Sequence, residues 1–230
     1  QNHPEWSLSQ LTTLVASFPA SYRASVSPED AVRDIDLLAG LGGRERDLRF
    51  DRSHGRLVHC TIAKRGDDMT LSSLLPQFHD LGAVVLDQRP YTLDAERGRS
   101  GAVLVENLHL YNLGLELPAE LDADGLARVR DALLATWAGI TESDTLSALL
   151  VSAGFTWWEV SVVRAYCRCL VQLDRRFALQ PVLDIVVAEP ALAHTLVEWF
   201  DARLSPYGGP SHADADSDAD ADADSGAGGG

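Results

Sequence analysis

The chain has 230 residues, and 46% of them are apolar, which is enough to bury a core in one large or two small domains. Its 19 basic and 34 acidic residues give a formal net charge of −15 without a basic stripe, which argues against binding to nucleic acid or to anionic membrane lipid. The three cysteines are an odd number in a chain too large to need disulfides, so reduced thiols and a cytoplasmic location are expected.

Residues 1–26 are expected to form a helical lead-in. A short helix is predicted to end near Phe18 and Pro19, because the residue before a proline disfavours helical backbone. The chain starts at Gln1, with neither an initiator Met nor a basic and apolar leader. These features predict a segment of a longer protein or a processed product, and they argue against secretion. No apolar run approaches the length of a membrane span.

The first strongly marked helix begins after Ser27. Ser27 is a suitable N-cap and Pro28 suits the first helical position, while the acidic residues that follow meet the positive end of the helix dipole. Gly40 predicts the end of this helix. Beyond it the apolar period changes from about 3.6 to 2, which predicts two strands joined by a turn at 53–55.

The glycines at this boundary, Gly40, Gly42 and Gly43, resemble half of a dinucleotide-binding loop. They follow a helix instead of a strand, however, and position 45 is Glu where that loop would need glycine. A helix stop followed by a turn is the better interpretation.

The next helix is predicted to start after Thr70 as its N-cap and to stop at Gly82. Its apolar face is predicted to consist of Leu71, Leu74, Leu75 and Phe78. Pro76 is tolerable because it falls in the second turn. Two strand-like runs follow, at 83–94 and 102–115, separated by the segment AERGRSG.

The predicted order over residues 27–116 is helix, strand, strand, helix, strand, strand. This is the order of a ferredoxin-like α+β fold, the βαββαβ split sheet, after its first strand has moved to the end of the chain. The added strand would then lie antiparallel to the one before it, as a hairpin requires.

From Pro118 onward the strand pattern disappears. Residues 117–206 are predicted to form an all-α helical bundle of four or five helices with short connectors. Residues 207–230 are rich in Asp, Ala and Gly and have almost nothing to bury, so a disordered acidic tail is expected.

The stretch GFTWWEVSVVRAYCRCL, residues 154–170, is predicted to begin a helix. Thr156 and Glu159 form a capping box, and Phe155 and Val160 form a hydrophobic staple. A helical projection gives a wide apolar arc and predicts that neighbours enclose most of the helix. That arc comprises Trp158, Val160, Val162, Val163, Ala165, Tyr166, Cys167, Cys169, Leu170 and Leu173, and the polar stripe comprises Ser161, Arg164, Arg168 and Gln172.

The side chains of Cys167 and Cys169 point in nearly opposite directions on such a helix, so they cannot share a metal ion or form an unstrained disulfide. Both are interpreted as small buried hydrophobic residues. Trp157 and Arg164 are compatible with a cation–π pair that faces a partner, and also with a tryptophan packed at a seam between helices, which is the commoner arrangement.

No catalytic, cofactor-binding or metal-binding constellation is recognisable. Arg99, Ser100 and Gly101 lack the nucleophile elbow. Lys64 is the sole lysine and is predicted to lie in a strand. The histidines follow no metal-ligand spacing, so surface or structural roles are expected for all seven. They are His3, His54, His59, His79, His109, His194 and His212.

Asp87, Arg89 and Tyr91 are predicted to lie on one side of a strand, because alternate strand residues share a face. This pattern is compatible with a small-molecule site at a strand end beside Gly82. It is equally compatible with cross-strand ion pairs on a solvated sheet face.

Two parts of the chain resemble the large-subunit bacterial NAD-specific glutamate dehydrogenases. The first consists of FPASYRASVSPEDAVRDIDLLAGL and MTLSSLLPQFHDLGAVVLDQRPYTL. The second includes WAGITESDTLSALLVSAGFTWWEVSVVRAYCRCLVQ, with Trp137, Gly139, Glu142, Asp144, Trp157, Glu159, Arg164, Tyr166, Pro190 and Arg203 in the family's order. Trp158 stands where the family tends to have Arg, and Ser147 replaces a usual Asn.

The resemblance implies an ACT-like regulatory sheet followed by a helical connector, in an enzyme that oxidises L-glutamate with NAD. The family's catalytic and dinucleotide-binding domains lie downstream, and no residue here corresponds to them. The segment is therefore expected to bind no cofactor and to be inactive alone, with NAD bound elsewhere in the parent enzyme. Its expected partners are the remainder of that enzyme and further copies in a homo-oligomer, with an amino acid as a possible effector.

Overall fold

The computed structural model describes residues 8–93 and 107–204. Its helices are α1 (Leu8–Ser17), α2 (Ala20–Ser25), α3 (Pro28–Ala39), α4 (Leu71–Asp80), α5 (Ala123–Trp137), α6 (Leu149–Ser152), α7 (Trp157–Leu173), α8 (Leu179–Ala188) and α9 (Pro190–Leu204), with a 3-10 turn at Thr145–Ala148 before α6. Its strands are β1 (Arg46–His54), β2 (Leu57–Arg65), β3 (Val84–Leu93) and β4 (Leu108–Glu116). The start of the lead-in, residues 99–101, His3, His212 and the expected acidic tail lie outside the described residues.

The predicted order of elements is confirmed, since α3, β1, β2, α4, β3 and β4 follow one another along the chain. The four strands form one sheet in the order β1-β2-β4-β3, and every neighbouring pair is antiparallel. This is the order that a βαββαβ sheet acquires when its first strand moves to the end of the chain. The fold is therefore α+β, as predicted.

The hairpin turn between β1 and β2 lies later than predicted, at 55–56 instead of 53–55. Strand β1 extends to His54 because the register shifts between Arg52 and His54, which accommodates one additional residue. Gly55 then takes a positive φ of 57°, a left-handed conformation that a residue without a Cβ adopts at little cost.

One side of the sheet, called here the apolar face, carries Leu48, Cys60, Tyr111 and Leu113. Helices α4 and α5 cover it, since Phe78 of α4 and Val129 of α5 belong to the same buried cluster as these strand residues. The helical region continues this cluster through residues such as Leu149, Val163 and Val197. One core therefore joins the sheet to the bundle.

The other side of the sheet, called here the charged face, is covered at one end by α1, α2 and α3. Leu14, Tyr22 and Leu38 pack there against Leu93 and Leu110 of the sheet. Helix α3 thus lies on the face opposite to α4, and α5 is the helix that shares a face with α4. Helix α5 also binds β1 through Arg130, whose Nε donates to the Leu48 carbonyl at 2.9 Å.

The N-terminal caps of α3 and α7 form as the sequence predicts. Ser27 accepts a hydrogen bond from the backbone N–H of Asp30. The Thr156 side chain accepts from the Glu159 N–H, while the Glu159 carboxylate accepts from the Thr156 N–H at 2.7 Å. Both helices begin where these local capping bonds are available.

The predictions for α4 are correct for its ends and partly wrong for its face. Thr70 occupies the N-cap position, but its side chain makes no capping bond. Gly82 ends the helix with φ +73°. Leu74 and Phe78 are fully buried, whereas Leu75 is exposed, because the sheet covers a narrower side of α4 than the apolar pattern implies.

The prediction that neighbours enclose most of α7 is wrong. Trp158, Cys169, Leu170 and Leu173 are exposed, with 82% of Leu173 accessible. Arg164, assigned to the polar stripe, is buried instead. Its guanidinium Nε donates to Asp144 Oδ2 at 2.7 Å, so the buried charge has a carboxylate partner.

Trp157 is half-buried and packs against the main core, which confirms its interpretation as a tryptophan at a helix seam. Cys60 and Cys167 are free thiols, and the expected burial of Cys167 is confirmed. Cys60 is buried too, and burial raises the pKa of both. Cys169 is exposed, so its assignment as a buried hydrophobic residue is wrong. Helix periodicity gave the side on which it lies but not whether a neighbour covers that side.

Candidate ligand site on the charged face of the sheet

A cavity of about 370 Å³ opens on the charged face, beside the end that α2 and α3 cover. A cavity of this size is at the small end of the range for ligand sites in proteins. Its charged lining residues are Asp30, Arg33, Asp34, Arg49, Asp51, Asp87 and Arg89, and its polar ones include Ser25, His59, Thr61, Tyr91 and Asn112.

Cross-strand pairing arranges the floor of the cavity in two rows that run across all four strands. The first, called the arginine row, consists of Arg49, Thr61, Asn112 and Arg89, each directly opposite the next. The second, called the aspartate row, consists of Asp51, His59, Gly114 and Asp87. The two rows are two residues apart along each strand, so their side chains project from the same face.

Asp34 fixes one wall of the cavity. It is 1% exposed, and its carboxylate accepts hydrogen bonds from the Tyr22 hydroxyl at 2.6 Å and from Arg49 Nη2 at 2.9 Å. Burial raises the pKa of Asp34, an effect that the Tyr22 bond and the Arg49 charge oppose. Burial and the bond to Asp34 also raise the pKa of Tyr22. The three side chains tie α2 and α3 to β1.

A second set of ion pairs lines the rim. Arg33 pairs with Asp30, one turn away on α3, and its Nη1 lies 3.2 Å from Asp51 Oδ1. Arg49 Nε donates to the other Asp51 oxygen at 2.7 Å. Hydrogen bonds from Ser27 and Arg33 lower the pKa of Asp30. Three of the four cavity aspartates thus already have arginine partners.

Polar groups without a protein partner remain on the floor. Arg49 Nη1 and Asn112 Oδ1 are buried from solvent and make no hydrogen bond. The Arg89 side chain, exposed at the open side, has no ion pair or hydrogen bond with any residue in the described ranges. Asp87 has no arginine partner there, and its Oδ1 accepts from the Gly114 N–H at 3.0 Å. The two buried atoms, Arg49 Nη1 and Asn112 Oδ1, are unfavourable unless water satisfies them, whereas the side chains of Arg89 and Asp87 are exposed and can be hydrated.

The structure brings together the three residues that the sequence singles out as a possible ligand site. Asp87, Arg89 and Tyr91 all line the cavity. The residues opposite Asp87 and Arg89 are Gly114 and Asn112, so cross-strand ion pairs do not explain these two charges. The cavity lies along the middle of β3 and Gly82 does not line it, so the ligand site beside Gly82 stays a prediction.

Sequence reasoning missed Asp34, Arg49 and Asn112. The alternation of Asp47, Arg49 and Asp51 with apolar Leu48 and Phe50 along β1 was a readable signal for a second charged strand on this face. Nothing in the sequence indicated that Asn112 would be the neighbour of Arg89, because that pairing depends on the register between β3 and β4.

Among the other residues that the sequence analysis considers, His59 lines this cavity, while Lys64 and His109 lie apart from it. Lys64 is buried in β2, where its Nζ lies 3.1 Å from Glu45 Oε1. His109 is buried with its Nε2 3.0 Å from the Gly66 carbonyl. Within residues 8–93 and 107–204, no cluster of three or more His, Cys, Asp or Glu side chains is placed to hold a metal ion. No helix in these ranges is long and apolar enough to span a membrane.

Three family models match the chain, and together they cover more than half of it. They are "Glutamate dehydrogenase, helical motif 2" over residues 10–41, "Glutamate dehydrogenase, ACT3 domain" over 47–126 and "Glutamate dehydrogenase, helical motif 3" over 141–206. The chain belongs to the large-subunit NAD-specific glutamate dehydrogenase family. The ACT3 match spans the four strands, so the expected ACT-like sheet of this glutamate dehydrogenase segment is confirmed.

Individual relatives agree with this assignment. The chain is similar to the NAD-specific glutamate dehydrogenases of Mycobacterium tuberculosis and Halomonas elongata, at 28% identity over 203 residues, which is 86% of this chain and 12% of each relative. The enzyme of that name from Pseudomonas aeruginosa is 28% identical over 192 residues, which is 81% of this chain and 12% of the relative. The chain therefore spans a small part of the length of the curated relatives it matches.

Proposed function

We propose that this chain is a non-catalytic regulatory and assembly segment of an NAD-specific glutamate dehydrogenase. The parent enzyme would convert L-glutamate, NAD and water to 2-oxoglutarate, ammonium and NADH in the cytoplasm, with NAD bound outside this segment. The observation that carries the proposal is an ACT3-matched sheet in which one face builds the core and the other holds a polar cavity.

The contacts of β1 provide a route by which the cavity can act on the helical region. Arg49 and Asp51 line the cavity, and Leu48 and Phe50, which alternate with them along β1, lie on the side of the strand that faces α5. Arg130 of α5 donates to the Leu48 carbonyl and pairs with Asp47 at 2.6 Å. A shift of β1 on ligand binding would therefore displace α5 and the bundle that packs on it.

The first experiment measures NADH formation from L-glutamate and NAD by the 230-residue chain and by the longer parent enzyme. We expect turnover from the parent and none from the chain. Turnover by the chain alone would show that it carries catalytic residues and would refute the proposal.

The second experiment changes Arg130→Gln in the parent enzyme, with Arg176→Gln as the control, because Arg176 is 85% exposed and pairs only with nearby Asp174 among the described residues. We expect R130Q to alter the response of the rate to added amino acids, while R176Q leaves it unchanged. Identical responses for both variants would contradict the coupling through α5.

Exposed apolar side chains on α7 and α9 favour an assembly role for the helical half. Trp158 is 55% exposed, Leu173 82% and Trp199 49%, and such side chains are commonly covered by a partner. The partner would be the remainder of the dehydrogenase or a second copy. Light scattering should show self-association that survives deletion of residues 207–230. A monomer at all concentrations would remove the homo-oligomer from the proposal.

A second candidate function is a stand-alone amino-acid sensor, which the charged and polar lining of the cavity favours. In that case amino acids would bind this chain without any effect on the parent enzyme. Comparison of ligand binding by the chain with the rate response of the parent separates the two functions.

A further inference from the structure

We propose that a second copy of the chain docks on the outer edge of β3, so that the two sheets join into one antiparallel sheet through β3 of each copy. Gln88 lies at the two-fold axis, opposite its counterpart in the second copy. The inference rests on the proposed homo-oligomer and gives it a surface distinct from the exposed side chains of α7 and α9.

The two edges of the sheet differ in what occupies them. Strands β1 and β3 are the edge strands. On β1, the Leu48 N–H donates to Asp47 Oδ1 at 2.8 Å, and the Leu48 carbonyl accepts from Arg130 of α5. Along β3, the backbone makes no hydrogen bond outside the sheet with any other part of the described chain. An edge strand with unpaired backbone groups is a template for pairing with another chain.

Pro90 identifies which backbone groups of β3 point outward. It lies opposite Tyr111 of β4 and has no N–H to donate to that strand, so its nitrogen is on the outer side. Because this orientation repeats at alternate residues, the N–H and the carbonyl of Gln88 also point outward. The outer edge is open, since five residues along it are exposed: Leu86, Asp87, Arg89, Pro90 and Thr92.

Two charges make this edge complementary to itself. Asp87 and Arg89 flank Gln88, so in the proposed register each Asp87 lies opposite Arg89 of the other copy. The two-fold axis repeats the contact and gives two equivalent ion pairs. Opposite charges directly across a strand pair stabilise the pairing, and like charges oppose it. Neither charge gives up an existing ion pair, because Asp87 and Arg89 have none with the other described residues.

The same register covers an exposed apolar side chain. Leu86 is 55% exposed, and it lies opposite Pro90 of the second copy. Pro90 offers only its carbonyl to the outer edge, so the shared ladder is short and depends on the two ion pairs. A second copy supplies these complements automatically, whereas an unrelated strand would have to carry an arginine and an aspartate in the reverse order.

Charge reversal tests the ion pairs, with sedimentation velocity of the full chain at several concentrations as the measurement. D87R and R89D each place like charges opposite one another and should weaken dimerisation about tenfold or more. The double variant D87R/R89D restores opposite charges in the same register and should recover the wild-type affinity within about threefold. The control is R175D, because Arg175 is exposed between α7 and α8, outside the sheet.

New cysteines test the register, in a C169S background that removes the exposed native thiol. Q88C should form a disulfide between two copies on mild oxidation, because Cα atoms directly opposite each other lie about 5.5 Å apart. T92C is the control. Residue 92 lies opposite residue 84 in this register, so the two new thiols are about 27 Å apart and should stay reduced.

Three results would overturn the inference: dimerisation unchanged by the single reversals, a double variant as weak as the single ones, or cross-linking by T92C that equals that by Q88C. A dimer that survives the reversals would assign self-association to α7 and α9 and leave the proposed assembly role intact. A chain that is monomeric at all concentrations would refute both this inference and the homo-oligomer. The NADH experiment is independent of all these results.

Discussion

The two faces of the sheet are built from the same four strands and have different compositions. On the apolar face, Leu48, Cys60 and Leu113 join a continuous core with α4, α5 and the helical bundle. On the charged face, only one end is covered by apolar packing, and the rest carries ion pairs around an open cavity. Alternation along each strand allows one face to secure the fold while the other is free for recognition.

This division has an energetic consequence. Removal of apolar contacts on the covered face should cost stability, because no solvent can fill the space that is left. Changes at the open side of the charged face should cost little stability and should instead change binding. Substitutions on the two faces test this difference, in order of decreasing effect.

The largest effect is expected for Phe78→Ala. Phe78 is fully buried between α4 and the apolar face, so its truncation should lower the free energy of unfolding by about 3–5 kcal/mol. Urea unfolding monitored by circular dichroism measures the change. Leu86→Ala is the control, because Leu86 is 55% exposed on β3 and its loss should matter by no more than about 0.5 kcal/mol. Equal losses for both would contradict the assignment of the faces.

A smaller effect is expected for Asp34→Ala, at the covered edge of the charged face. The substitution leaves the Tyr22 hydroxyl and one Arg49 nitrogen without their carboxylate and should cost about 3 kcal/mol. Tyr22→Phe, which removes one hydrogen bond, should cost about 1 kcal/mol. Chemical denaturation of both variants checks the order. If Y22F were as damaging as D34A, the ion pair would not be the main stabilising contact.

Gly114→Ala should change stability by about 1 kcal/mol or less, because the Asp87 side chain that its Cβ would approach is exposed and can rotate away. The same methyl group narrows the cavity between the two rows. We therefore expect an almost unchanged unfolding midpoint together with weaker amino-acid binding. Loss of binding accompanied by a large loss of stability would instead indicate that Gly114 is required for the strand itself.

The smallest effect is a pH dependence at the end of the apolar face. A hydrogen bond from the Tyr111 hydroxyl lowers the pKa of Asp68 below 3.8, while burial raises the pKa of Tyr111 to about 12. Because the folded pKa of Asp68 lies below the unfolded one, its contribution to stability is present above pH 3.8 and is lost as pH falls through the folded pKa.

Tyr111→Phe removes this bond. The stability difference between the wild-type chain and Y111F should therefore be larger at pH 6 than at pH 2.5, as measured by urea unfolding at both values. A difference that is the same at both values would show that the Asp68 contact contributes nothing to the pH dependence.

The helix starts and the sheet order were predictable because they depend on local chemistry and on chain connectivity. Ser27 caps α3, and Thr156 with Glu159 caps α7, through bonds that span three residues. The antiparallel pairing of β3 and β4 followed from their adjacency in the chain. The common side of Asp87, Arg89 and Tyr91 followed from alternation alone.

The surroundings of individual side chains were not predictable in this way. Trp158 and Cys169 lie on an apolar arc, yet they are exposed, and Arg164 lies on a polar stripe, yet it is buried. A helix projection states which residues share a side, but long-range packing decides which side meets a neighbour. Arg164 is buried because the chain segment before the 3-10 turn brings Asp144 to it.

The sequence by itself determined the α+β class, the order of the elements, the places where helices begin and end, and the two periodicities that separate sheet from bundle. Only the tertiary structure decided that α3 and α4 lie on opposite faces, and that Arg49 and Asn112 join Arg89 in one row. The physical reason is the sequence separation between the residues that interact. Capping and alternation act between residues a few positions apart, whereas cross-strand register and face coverage depend on contacts between residues tens of positions apart.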